Sequence, residues 1–269
     1  MKYLVLFIFL AGFLEAKVYY SKVEPYDFRY ISSNVNGVVT YIDEDMLGKK
    51  LSAKAYIKID ADLDKKELKY LKLKSKELRK IVEVNEAILI NLQESLKRKR
   101  INYKQIENLK IKSRVEKDRE FYDLVASENS SLATQKEINN LKVQLDDLAF
   151  KKAQLERNIS DKYISNRGFV LYSIEVKRGQ VVNKGTLLAK IADTSKALLS
   201  IYLDEEDLKD AKKKILYIDG KKTAYKITRL SYIADAQNIS KYLAQIVIKA
   251  PKVFSKLAKI ELKDANDAK

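Results

Sequence analysis

Cysteine and histidine are both absent from the 269 residues. Without them there is no thiolate nucleophile, no disulfide, no histidine-dependent triad and no ordinary zinc site. A lipoprotein anchor, which needs a cysteine at the mature N-terminus, is excluded too. The lack of cysteine fits an exported bacterial protein with no disulfide framework. Glycine and proline are scarce, and neither occurs between Asp62 and Asp161. A stretch of that length without a helix breaker has room for a long helix pair.

Charge, by contrast, is plentiful. A third of the residues are charged and the formal net charge is +16. Such a balance invites nucleic acid, anionic lipid or an acidic protein surface as partner. The lysines interleave with Glu and Asp, as on the solvated flanks of a coiled coil. No zinc-finger, helix-turn-helix or RNA-recognition signature is visible, so no nucleic-acid partner is expected. Neighbouring acids such as Glu205-Glu206 and Asp146-Asp147 point in different directions on a helix. They read as solvated surface; no catalytic residue, metal or cofactor is expected.

Residues 1–16, MKYLVLFIFLAGFLEA, place Lys2 before an apolar run from Tyr3 to Leu14, with Ala16 at a cleavage point. That is the architecture of a secretory signal peptide. The apolar run would span only about 18 Å as a helix, short of a roughly 30 Å hydrocarbon core. The mature protein is therefore expected outside the cytoplasm.

Residues 62–161 read as a rod. Leu68, Leu71, Leu78, Val82, Leu89, Leu92, Leu96, Tyr103 and Ile106 alternate three and four apart, the signature of a coiled-coil seam. Ser75, Asn85 and Lys99 interrupt it. Ile138, Leu141, Leu145, Leu148, Leu155 and Ile159 repeat the pattern. A turn near Glu128–Ser131 would leave arms mismatched by about 50 Å, whereas a turn at 110–114 gives nearly equal arms of about 70 Å. Ser113 followed by Glu116 also reads as a capping box opening the second helix. The turn is therefore expected at 110–114, with 127–131 a weak polar point inside the returning helix.

The segments flanking the rod, 28–61 and 162–193, read as short strands and align as a repeat. Gly37-Val38-Val39 matches Gly168-Phe169-Val170, Leu47-Gly48 matches Arg178-Gly179, and Ile57–Asp60 matches Leu188–Asp193. Neither half can close a core alone; together they could form one small sandwich, with the rod as an insertion. Residues 194–255 resume strand patterns around a short helix over 205–214 and an Asp219-Gly220 hairpin, which suggests a small β-barrel. Residues 256–269 are expected to be a frayed C-terminus. The fold class is α+β: a coiled-coil helical hairpin inserted into a split sandwich, followed by a barrel.

Two half-motifs around a helical hairpin, then GFVLYSIEVKRGQVVNKGTLLAKIADTSKALLSIYLDEEDL leading into a barrel, resemble the periplasmic adaptor proteins. These are also called membrane fusion proteins (HlyD-like). The resemblance implies a split lipoyl-like domain and a non-enzymatic periplasmic role in efflux or secretion. It implies an outer-membrane TolC-like channel and an inner-membrane transporter as partners, with the adaptors in a homo-oligomeric ring. The family's membrane-proximal domain is expected to be absent, since little chain follows the barrel. In many members the hairpin tip carries Arg, Leu four residues on, Ser seven after that, and then Ser-x-x-Glu-x-Asp. Here Ser113, Glu116 and Asp118 match the last pattern, Leu109 stands for the leucine, and Gln105 occupies the arginine position. Ile111 would add apolar contact to this channel-docking tip.

Two other readings compete. A lipoyl or biotinyl carrier would present a lysine on the tight hairpin joining the halves, and here the rod replaces that hairpin. A coiled-coil scaffold or nucleic-acid-binding protein would keep the rod and lose the export role. Separately, Asn158-Ile159-Ser160, with Glu156 two residues upstream of Asn158, makes Asn158 a possible glycosylation acceptor.

Overall fold

The computed structural model describes residues 17–234, 238 and 240–264, so the signal peptide expected at 1–16 lies outside the described residues. The chain runs through β1 (Val18–Lys22), β2 (Glu24–Ser32), β3 (Gly37–Ile42) and β4 (Ile57–Ile59) before the rod. The rod is α1 (Asp62–Glu107) and α2 (Arg114–Asp161). After it come β5 (Tyr163–Ile164), β6 (Val170–Ile174), β7 (Val181–Val182), β8 (Leu187–Leu203) and the one-turn α3 (Glu205–Leu208). β9 (Ile215–Ile218), β10 (Lys221–Lys222), β11 (Ile227–Ala234), β12 (Tyr242–Lys249) and β13 (Leu257–Lys263) follow.

The two strand segments on either side of the rod share one core. Val39, Ile57 and Ile59 from the first pack with Leu171, Val182, Leu188 and Ile191 from the second, all essentially buried. β4 pairs directly with β5, Ile57 opposite Ile164 and Lys58 opposite Tyr163. The hundred-residue excursion thus leaves and re-enters at neighbouring strands. β3 pairs with β7, Gly37 opposite Val182. A Cβ at Gly37 would lie 2.6 Å from Ile59 Cγ2, so the close approach of β3 and β4 requires glycine there.

In the rod the seam is buried as its spacing predicts. Leu71, Val82, Leu89 and Leu96 face Ile138, Leu141 and Leu155, and the remaining seam positions are half-buried. The polar seam positions find local partners: Lys99 Nζ meets Ser127 Oγ at 2.7 Å and Asp123 at 2.8 Å, and the Asn85 amide donates to the Ile81 carbonyl. Ser131 is buried and α2 runs unbroken through the polar 127–131 stretch, with the Ser130 hydroxyl donating back to the Ala126 carbonyl at 2.9 Å. At the base, Lys162 pairs with Asp64 across the two helix ends.

β8 is the beam between the two β domains. Its first third, including Leu188 and Ile191, fills the sandwich core, and Leu199, Ile201 and Leu203 fill the barrel core. β2 runs antiparallel beside it from Glu24 to Ser32, so two strands cross the junction together. The barrel sheets are ordered β1-β13-β9-β10 and β11-β12-β8-β2. Asp219 and Gly220 both have positive φ, as a tight two-residue hairpin between β9 and β10 demands.

Strands also precede residue 28: β1 is a barrel strand and β2 begins at Glu24, with Pro25 tolerated on an edge strand. Two expectations need correction. The helix expected over 205–214 is the single turn α3, because Asp210 turns left-handed two residues after it. The 256–269 tail is not frayed through 263. There β13 lies between β1 and β9, and Ala258, Ile260 and Leu262 alternate into the core. Its short apolar period was masked by the polar residues after it.

Ile260 is fully buried, so Ile260→Ala is expected to cost about 2–5 kcal/mol. Urea denaturation measures it; a change within about 0.5 kcal/mol, as for an exposed surface position, would contradict the barrel placement.

Candidate functional site

The far end of the rod is the turn at 108–113 between α1 and α2. α1 stops at Asn108, whose amide donates back to the Lys104 carbonyl at 3.4 Å, and α2 opens on Ser113. The capping box is reciprocal: Glu116 N–H donates to Ser113 Oγ at 3.3 Å, and Ser113 N–H donates to the Glu116 carboxylate at 3.0 Å. Lys112 adds an ion pair to Glu116 at 3.0 Å. Lys117 reaches back across the turn to the Glu107 carbonyl at 2.8 Å, tying α2 to the last turn of α1. The reversal is therefore fixed without glycine or proline.

The residues expected at the tip divide into two groups. Ser113 and Glu116 come together as the cap. Leu109 and Ile111 sit in the turn with Leu109 half exposed and Ile111 at 94% exposure. Asp118 stands apart from the cap, 3.9 Å from Arg114. Gln105 lies exposed on α1 before the turn. Val115, 77% exposed, joins the apolar end and was not singled out from the sequence; its place two residues after the cap was the available signal. Asn158 is exposed near the end of α2, within regular helix.

Electrostatically the cap is built for a carboxylate. The Ser113 backbone N–H, the Lys112 ammonium and the Ser113 hydroxyl pull the Glu116 carboxyl down to about 2. A folded value below the ordinary one means the cap is intact above about pH 4.5 and is lost as pH falls toward 2. Farther down the rod, lysines are paired across the helices: Lys142 with Glu86 at 2.8 Å, Lys151 with Glu67 at 3.0 Å and Lys72 with Glu156 at 3.8 Å. Among the described residues no helix is long and apolar enough to cross a membrane. No group of side chains among them is placed to hold a metal ion.

Carbon-detected NMR should place the Glu116 carboxyl midpoint near pH 2 and move it upward in Ser113→Ala. A midpoint at the ordinary glutamate value in the unsubstituted protein would mean that the cap does not form.

No protein-family model and no curated protein matches the sequence. Solved structures do match in shape. MacA from Actinobacillus actinomycetemcomitans aligns at a TM-score of 0.59 and 17% identity, over 91% of this chain and 78% of that one. The membrane fusion protein Spr0693 from Streptococcus pneumoniae R6 aligns at 0.54 and 12%, over 93% and 99%. A MacA–MexA chimera carrying the Pseudomonas aeruginosa MexA α-hairpin domain aligns at 0.53 and 17%, over 93% and 81%. With a hairpin rod inserted into a two-part β core and a barrel beyond it, this chain has the fold of the membrane fusion, or periplasmic adaptor, proteins.

Proposed function

We propose that the protein is a periplasmic adaptor that links an inner-membrane transporter to a TolC-like outer-membrane channel in efflux or secretion. The observation that carries this is the end of the rod. Ile111, a large apolar side chain, is almost fully exposed about 70 Å from the β domains, on a turn held by a capping box and a cross-turn lysine. Leu109 and Val115 stand exposed beside it. Exposed apolar groups on a rigid, distant end suit insertion among the helix ends of a partner. The lipoyl-like and barrel domains, joined by β8 and β2, form the base that would assemble around the transporter.

The ring expected from the resemblance has a physical basis in α1. Leu63, Tyr70, Leu73, Ile81, Val84 and Ile88 are exposed and fall on one stripe, about 115° round the helix from the buried seam at 100° per residue. A second apolar seam on a helix that already has one is what a neighbouring hairpin would cover. Four of the rod's lysines, Lys72, Lys99, Lys142 and Lys151, pair with acids of the opposite helix.

A photo-reactive amino acid at Ile111 should capture an outer-membrane channel in cells, and one at Ile88 a second copy of the chain. Capture of cytoplasmic or nucleic-acid-associated material at Ile111 would overturn the adaptor reading.

A further inference from the structure

About a dozen residues below the turn, a hollow of about 520 Å³ opens on the flank of the rod away from the exposed apolar stripe. Ser131 and Leu96 are the two buried residues among those that line it. Ser131 lies seven residues before Ile138, on the same buried seam of α2, yet it is far smaller than the Ile and Leu that fill the seam nearby. A larger side chain at 131 would project toward Leu96 and the groove that both residues line. The walls carry two exposed aliphatic side chains, Ile101 of α1 and Leu132 of α2. The rim is basic. Arg100 is neutralised by Glu128 at 2.6 Å, but Lys97 and Lys104 make no ion pair among the described residues. They lie seven residues apart on one face of α1, two turns or about 10.5 Å.

We propose that this groove receives an amphipathic helix of the docking partner, with acidic residues at i and i+7 and apolar residues at i+3 and i+4. The apolar pair enters the hollow between Ile101 and Leu132, and the two acids meet Lys97 and Lys104. The inference rests on the rod being a docking arm, and adds a side contact below the tip. Charge complementarity selects the acidic helix, and the aliphatic walls favour a helix over a free anion.

The test uses the full chain and two stapled helical peptides, one with Glu and one with Lys at i and i+7, both with Leu at i+3 and i+4. Fluorescence anisotropy should show binding of the Glu peptide. Lys97→Glu with Lys104→Glu should weaken it about fivefold or more and strengthen binding of the Lys peptide. Ser131→Leu should fill the hollow and abolish Glu-peptide binding with helical circular dichroism unchanged. Equal binding of the two peptides, or indifference to either variant, overturns the proposal. Pyrophosphate binding without peptide binding would assign the groove to a free anion. Altered self-association of the Lys97→Glu/Lys104→Glu protein without peptide binding would assign it to a second copy. Either of those results also overturns the proposal. Channel capture at Ile111 with no peptide binding removes the groove and keeps the adaptor; peptide binding with no channel capture does the reverse.

Discussion

The pairing of β4 with β5 is the constraint from which the architecture follows. Ile57 and Lys58 must sit opposite Ile164 and Tyr163, so everything between them has to leave and return within one strand spacing. Two helices of 46 and 48 residues meet that demand, because equal antiparallel arms end where they began. Unequal arms would pull the halves of the sandwich apart and expose Val39, Ile59, Leu171 and Leu188 together. The core and the rod therefore depend on each other: the core needs the rod to close, and the rod needs the core to anchor its ends.

The rod itself is modestly packed. Its densest contact is around Val82, Leu89, Ile138 and Leu141, and Ser75 below and Lys99 and Ser131 above interrupt the apolar seam. The interhelix ion pairs are largely exposed and contribute at most about 1 kcal/mol each. Length and straightness come instead from uninterrupted helix and from fixed ends: Lys162 with Asp64 at the base, the cap and Lys117 at the tip. Such an element transmits position well while leaving two of its own faces, one apolar and one basic, free to meet other chains. The β8–β2 pair extends that rigidity into the barrel.

Much of this was legible in the residues because it is local or periodic. The seam announces itself every three or four positions, the Ser113–Glu116 cap sits within one helical turn, and the Gly37 and Gly168 segments carry a repeated pattern. What was missed depends on contacts between distant parts of the chain. β13 is short and followed by a polar tail, and its pairing with β9 and with β1, some 240 residues away, makes it a barrel strand. Ser131 reads as part of a polar stretch in α2, and that it lines one groove with Leu96 depends on the register of the two helices. Asp204 and Asp207 hold Lys17 just before β1, a contact between residues far apart in the chain.

Because the chain has no cysteine, paired spin labels can be placed at will. Labels at Lys66 and Lys110 should report about 65 Å along the rod, and labels at Lys66 and Asn158 under about 25 Å across its base. A short first distance, or a second beyond about 50 Å, would mean that the chain does not reverse at the turn and that its two β segments do not share one core.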